Sequence, residues 1–270
     1  MSTIKNKIAG AIYGFAIGDA MGATTEFLTS GQIRNRFESV TDIIGGGWLN
    51  LKAGEVTDDT QMSMCVMDAL MKYPNDIKKF QKECMKNFVE WFECGPKDVG
   101  GQCAKGIQCF MYNNSFIPED SKALGNGSLM RAMPCALVGK VDFNVAQGNL
   151  THNNLECSQV IQDYSRMIQD YLYNKIYTYQ VKDNLKPSGY LWNTFNNSIY
   201  WSNEPTFEQA IIGAVNHGGD ADTIAAITGS LAGARFGYNS IPERWIDQLN
   251  LDVKLYLEKF KNFVFSYLQI

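Results

Sequence analysis

The segment from Val215 to Gly237 constrains this chain more than any other. It runs Val-Asn-His-Gly-Gly-Asp-Ala-Asp-Thr and continues as Ile-Ala-Ala-Ile-Thr-Gly-Ser-Leu-Ala-Gly-Ala-Arg-Phe-Gly. This pattern predicts a glycine loop, an acidic helix start and a helix in which Ala225, Ala226, Gly229, Ala232, Gly233 and Ala234 leave almost no side chain on one face. Helices in folded proteins owe most of their stability to packing, so a face this bare calls for a neighbouring backbone at close range. The neighbour is legible near the start of the chain. There Gly10, Gly14, Gly18 and Gly22 recur every fourth residue, beside an apolar stripe of Ile4, Ile8, Ile12 and Phe15 at helical spacing. Each interior glycine costs up to about 1 kcal/mol of helix propensity, so four on one stripe predict a helix built to be approached, and the helix after Thr223 is its expected partner.

The acidic start itself holds Asp220, Asp222 and Thr223. A helix N-terminus needs one side-chain acceptor as a cap, whereas this one offers three oxygen-bearing side chains in four positions. A second start of the same kind is Thr57-Asp58-Asp59-Thr60-Gln61, which opens an apolar helix through Met62, Val66 and Leu70. Asp58 and Gln61 also have capping-box spacing, so a purely structural role competes here. If the two starts converge, Asp58, Asp59, Asp220 and Asp222 bring four negative charges to two helix ends that supply only about half a positive charge each. Carboxylates within about 4–6 Å of one another resist common ionisation unless cations or protons intervene. An all-oxygen set of this kind selects a hard divalent cation, Mg²⁺ or Mn²⁺ for catalysis, with Ca²⁺ also compatible. Zinc is poorly supported, because the chain has two histidines and seven cysteines with no C-x-x-C pair. The scattered cysteines fit reduced thiols in a cytosol.

The remaining segments predict an all-α fold in one domain over residues 1–270. Asn75 or Asp76 caps a helix running to Phe92, Asp142 caps another, and an amphipathic helix spans about Leu155 to Asn174. Thr206 and Gln209 form a capping box before the helix that feeds Val215, and a single closing helix follows Pro242. No alternating run of strand length stands out. A net charge of −4 leaves no basic footprint, which argues against nucleic acid or an anionic membrane surface as the main partner. The N-terminal segment carries only a short apolar run before Asp19, too short to span a bilayer, and the expectation is a cytoplasmic protein.

Four smaller features carry possible chemistry. Glu26 follows the glycine-rich helix in a loop, where it is either a surface carboxylate or a functional one. The turn Cys94-Gly-Pro-Lys-Asp98 presents Asp98, with turn stabilisation as the structural alternative. Gly125-Asn126-Gly127-Ser128 is a glycine-rich turn of the sort that seats phosphate on free N–H groups, and Arg131 beyond it meets an anion or pairs with a core carboxylate. His152 lies between helices, where a structural role competes with a catalytic one.

Taken in order, Gly14-Phe-Ala-Ile-Gly-Asp-Ala-x-Gly22, Gly54-Glu-Val-Thr-Asp-Asp-Thr60, Gly95-Pro-Lys-Asp-Val-Gly100, Gly125-Asn-Gly-Ser-Leu-Met-Arg131, Thr151-His152 and Gly218-Gly-Asp-Ala-Asp-Thr223 resemble the ADP-ribosylglycohydrolase family over nearly the whole chain. The resemblance implies an all-helical domain with a binuclear magnesium or manganese centre held by Thr57, Asp58, Asp59, Asp220, Asp222 and Thr223. It implies a catalytic carboxylate at Glu26, an acidic residue near the scissile bond at Asp98, and an ADP-ribose pocket lined by Gly125, Asn126, Gly127, Ser128 and His152. The activity implied is hydrolysis of the bond between the distal ribose and a modified protein side chain, arginine foremost, with ADP-ribose as product. Ala123-Leu124 stand where serine-directed members carry Ser-Tyr, Gly101-Gln102-Cys103 replace residues that are often threonines, and His217 replaces an aliphatic residue. Two rival readings share the features: a binuclear phosphohydrolase, and a non-catalytic ADP-ribose binder or crystallin-like protein.

Overall fold

In the computed structural model, which describes residues 3–175, 179, 181 and 186–270, the chain is built from helices and loops. The first half comprises α1 (Thr3–Gly22), α2 (Ser30–Phe37), α3 (Asp58–Lys72), α4 (Ile77–Glu93), α5 (Gly101–Asn113), α6 (Met133–Leu137) and α7 (Val141–Gly148). The second comprises α8 (Leu155–Leu172), α9 (Leu191–Ser202), α10 (Phe207–His217), α11 (Ala221–Phe236), α12 (Glu243–Gln248) and α13 (Leu251–Tyr267). Among the described residues β-structure is limited to isolated bridges such as Thr29 with Gly218 and Gly125 with Tyr190. Also among them, no helix is long and apolar enough to cross a membrane.

The glycine stripe of α1 meets α11 as the sequence pattern predicts. A Cβ on Gly10, Gly14, Gly18 or Gly22 would overlap the carbonyl oxygen of Gly233, Gly229, Ala225 or Ala221 respectively. The rising numbers on one helix pair with falling numbers on the other, so the two run antiparallel with backbones in contact. Residues Lys7 to Gly22 and Ala221 to Ala234 are all buried. This pairing sets the last turn of α1 beside the first turn of α11.

Asp19 adds a third helix end to the same place. It projects from the last turn of α1, and its carboxylate accepts the N–H groups of Thr57 and Thr60, each at 3.0 Å, as well as the Thr60 hydroxyl. An acidic side chain is unfavourable at the C-terminus of its own helix but favourable at the N-terminus of another, and Asp19 bridges the two. The loop after α1 is then tied to the glycine loop before α11, with Phe27 N–H on Gly219 O at 2.6 Å and Gly219 N–H on Leu28 O at 2.8 Å.

Several local expectations are corrected. The cap of α3 is Thr57, whose hydroxyl accepts the Asp59 N–H at 3.2 Å; Asp58 is not the cap, and Gln61 instead bonds Val56 O and Trp91 Nε1. Asp142 sits inside the first turn of α7, which begins after Lys140. The closing helix is two helices, because Asn250 breaks the run, caps α13 through the Asp252 N–H and donates its own N–H to Gly54 O at 3.0 Å. Asp76 and Thr206 cap α4 and α10 as expected. All seven cysteines are free thiols.

Candidate active site

The glycines before α11 turn the chain with positive φ, 80° at Gly218 and 67° at Gly219, where side chains would strike Leu28 and Pro187. The next residue, Asp220, occupies the cap position but makes no hydrogen bond to the helix N–H groups. Its carboxylate instead receives the Asn126 amide and, at 3.4 Å, the Thr223 hydroxyl. Simple capping therefore does not account for Asp220. Asp222 accepts the Thr223 N–H at 2.8 Å, and the Thr223 hydroxyl bonds Asp59 Oδ2 at 3.2 Å, joining the starts of α11 and α3. Thr57 Oγ1 lies 3.3 Å from the same Asp59 oxygen. Asp59 Oδ1 is buried without a hydrogen-bond partner.

Glu26 enters from the loop after α1. One oxygen each from Glu26, Asp220 and Asp222 lie within 4.8 Å of one another. A residue that the sequence did not single out holds Glu26: Trp48 Nε1 donates to its Oε2 at 2.5 Å. Trp48 is presented by a loop in which Gly45, Gly46 and Gly47 all have positive φ, and Thr24 Oγ1 fastens that loop by bonding Gly45 O at 3.0 Å. Asp98 lies half-buried on the cavity wall, which the exposed Phe27 also lines with a φ of 60°, a strained value for a bulky side chain.

Burial dominates the electrostatics. It raises the carboxyl pKa values of Asp58, Asp59 and Asp222 well above the ordinary range, and the neighbouring carboxylates push the same way. Burial also raises Asp19, against the hydrogen bonds from Thr60 and Thr57, and Asp98, against the Val99 N–H. Glu26 is pushed up to about 8 by burial, with Trp48 opposing and Asp220, Asp98 and Asp19 reinforcing. Among the described residues no lysine or arginine forms an ion pair with any of these carboxylates. An all-oxygen donor set, an orphaned buried oxygen on Asp59 and negative charge with no cationic side chain together fit a hard divalent cation.

The acidic cluster lines a cavity of about 270 Å³. Gly125, Asn126, Gly127, Cys103 and His152 line the same cavity, and the Asn126 amide reaches Asp220. A Cβ on Gly127 would come within 2.7 Å of both Cys103 Sγ and His152 Cε1, so only glycine lets these side chains pack on the turn. His152 shares a hydrogen bond of 2.9 Å with Thr151 Oγ1, and burial, aided by Arg131, brings its pKa down to about 3. It is a neutral imidazole at physiological pH. Ser128 does not line the cavity; its side chain is buried behind the turn, its Cβ facing Gly148. Among the described residues Arg131 pairs with no carboxylate, and its hydrogen-bond partners Gln147, Gly127 and Thr151 are neutral. His217 packs against the Trp201 ring at 5.5 Å and is not part of the cavity wall.

A family model described as ADP-ribosylglycohydrolase matches residues 1–169 and 155–265. The chain is 33% identical over 278 residues to the ADP-ribosyl-[dinitrogen reductase] glycohydrolase of Rhodospirillum rubrum, covering 93% of each. It is 30% identical over 285 residues to the ADP-ribosylarginine hydrolase Tri1 of Pseudomonas putida, covering 90% of this chain and 74% of that one. Its fold is similar to a solved structure titled ADP-ribosylglycohydrolase-related protein complex, with a TM-score of 0.82, 24% identity and coverage of 100% and 99%. With the paired acidic helix starts, the glycine turn and both matched segments in one chain, this protein belongs to the ADP-ribosylglycohydrolase family.

Proposed function

We propose that the protein removes ADP-ribose from a modified protein side chain, arginine in preference to serine, by hydrolysing the bond at C1″ of the distal ribose. The observation that carries this reading is the convergence of two acidic helix starts, the Glu26 loop and the Gly125 turn on one cavity whose carboxylates have no ion-pair partner among the described residues. The names of the Rhodospirillum and Pseudomonas relatives support it. The arginine preference rests also on Ala123-Leu124, which replace the serine-directed pattern.

In this reading Thr57, Asp58, Asp59, Asp220, Asp222 and Thr223 would hold two Mg²⁺ or Mn²⁺ ions, which would supply Lewis acidity for the hydrolysis. The remaining steps belong to the chain. The Gly125, Asn126 and Gly127 turn receives the diphosphate, and neutral His152 offers a hydrogen bond with no charge of its own. The water oxygen bonds to C1″ as the C1″–N bond breaks, the proton lost by water and the one gained by the departing guanidine passing through Glu26 or Asp98. Trp48 fixes the orientation of Glu26 through its indole N–H. The whole chain, 1–270, serves as one such domain in the cytoplasm, with an ADP-ribosylated protein as substrate.

The test is a release assay on matched arginine- and serine-modified peptides, with Mg²⁺, Mn²⁺ or chelator. Free ADP-ribose from the arginine peptide, lost in chelator, is the expected result. AMP or phosphate as product would identify a phosphohydrolase, and binding of ADP-ribose without release from either peptide would identify a non-catalytic binder.

A further inference from the structure

Among the residues that line the acidic cavity, one exposed side chain stands where the cavity opens to solvent. Phe27, Gly100, Gly101 and Gly189 are the exposed members of the lining, and the glycines present only backbone. Phe27 is 64% exposed. Apart from His152 it is also the only ring in that lining among the described residues. Trp48, 50% exposed, stands beside it with 5.4 Å between ring centroids and 46° between ring planes. Two large rings therefore meet water next to the buried Glu26 carboxylate, which the Trp48 indole N–H holds.

Both rings are fixed by constrained backbone. Phe27 has a φ of 60°, a value that a bulky residue keeps only where the surrounding structure imposes it. Its N–H donates to Gly219 O at 2.6 Å, and the Gly219 N–H donates to Leu28 O at 2.8 Å, so the chain is clamped to the loop before α11 on either side of the ring. Trp48 follows three glycines of positive φ, and Gly47 lies so close to Ala23 O that any Cβ would overlap it. A ring held in water in this way forgoes the burial through which aromatic side chains usually stabilise a fold. That points to an occupant.

The surrounding charges say what kind. Glu26 and Asp98 line the same cavity, and neither forms an ion pair with a lysine or arginine among the described residues. Aromatic faces beside carboxylates favour a flat cation on an aliphatic stem, which packs stem and plane on the ring while its charge faces the acids. An arginine side chain has that chemistry. Serine, with a short neutral link, offers neither the stem nor the cation.

We propose that Phe27, backed by Trp48, is a specificity-determining residue: its ring receives the stem and guanidinium of the arginine that carries ADP-ribose, and so sets the preference for arginine over serine. The assignment rests on the function proposed above, in which the acceptor side chain must pass from C1″ in the cavity out to its own protein. Phe27 is the exposed side chain on that route.

The experiment compares full-length, Mg²⁺-loaded wild type with Phe27→Ala and Phe27→Tyr on matched arginine- and serine-modified peptides, with calorimetric titration of ADP-ribose alongside. Phe27→Ala is expected to raise KM for the arginine peptide by about tenfold, the scale of one partly desolvated cation–π contact. KM for the serine peptide and the affinity for ADP-ribose should not change, and Phe27→Tyr, which keeps the ring, should stay near wild type. Should Phe27→Ala fail to fold, Phe27→Asn removes the ring with a residue that tolerates positive φ. An unchanged KM for the arginine peptide, an equal rise on both peptides, or weakened ADP-ribose binding would each overturn the assignment. Release from neither peptide by wild type would sink the proposed function itself. In that case titration with argininamide and neutral citrullinamide decides: a preference for argininamide that Phe27→Ala abolishes leaves the platform standing, and no preference removes it too.

Discussion

Gly14 and Gly229 touch backbone to backbone, and a Cβ added to either would overlap the carbonyl oxygen of the other. The contact is reciprocal and lies midway along α1 and α11, with the carbonyls fixed in helical hydrogen bonds on both sides. Neither helix can yield locally.

Gly14→Ala or Gly229→Ala should therefore destabilise the protein by at least the about 1–3 kcal/mol typical of overpacking. The matched control is Gly31→Ala on the exposed surface of α2, where the nearest atom to a new Cβ is Thr29 Oγ1 at 4.0 Å. That change should be neutral or stabilising by up to about 1 kcal/mol. Thermal melts of the three variants check the contrast, and an unshifted Gly14→Ala melt would contradict the packing.

Asp222→Asn separates a metal ligand from a structural side chain. In excess Mg²⁺ the variant should melt below wild type, since bound metal stabilises as RT ln(1 + [L]/Kd), about 2.7 kcal/mol at a hundredfold excess over Kd. In chelator the order should close or invert, because Asn removes one of the buried charges that crowd Asp59, Asp220 and Glu26. An equal drop in both conditions would assign Asp222 to the helix start alone.

The metal-free protein should lose stability as pH rises from about 6.5 to 8.5. A carboxyl whose folded pKa is raised binds its proton more tightly in the folded state, so its stabilising proton is lost as pH climbs through the folded value. Glu26, at about 8, titrates inside this window, and Asp58, Asp59 and Asp222 are shifted in the same direction. His152 works the other way but only below its unfolded value of 6.5, where the unfolded chain takes up a proton that the folded chain refuses. Melts in chelator across the window read the slope directly. Saturating Mg²⁺ should flatten or reverse it, since cations favour ionised ligands.

Glu26→Gln should reduce turnover by about 10²-fold or more, the usual scale for a general acid or base, with little change in melting temperature in Mg²⁺. Trp48→Phe keeps the ring beside Phe27, 5.4 Å between centroids, but drops the N–H that holds Glu26. It should lower kcat more than it changes KM. Steady-state rates on an arginine-modified peptide decide both, and a wild-type rate for Glu26→Gln would return that residue to a structural role.

What the sequence made legible were features carried by local spacing. Glycines four apart in α1 and small residues in α11 declare a helix contact, and Asp-Asp-Thr or Asp-x-Asp-Thr declares an oxygen-rich helix start. Features decided by distant backbone were not legible. Asp19 offered one overlooked signal, an acidic residue near the C-terminal end of its own helix, where the dipole disfavours it. Trp48 reaches Glu26 only because three glycines fold its loop back onto Thr24. α5 and α9 went unpredicted because one opens Gly-Gln-Cys-Ala-Lys-Gly and the other holds three asparagines, sequences with weak helix propensity that tertiary packing overrides. Ser128 shares a turn with three cavity-lining residues yet faces inward, and spacing alone does not say which way a turn residue points.

The antiparallel pairing of α1 with α11 also sets a timetable for biosynthesis. Gly14 and Gly229 are 215 positions apart, so at roughly 5–20 residues per second the ribosome takes on the order of 10–40 s to supply the partner of a glycine stripe already made. Over that interval α1 carries its bare face, its apolar stripe and Asp19 with nothing from α11 to cover them. The nascent chain is thus most exposed to mispairing or chaperone capture at its N-terminal end, and the acidic cavity is completed in one late step when α11 emerges.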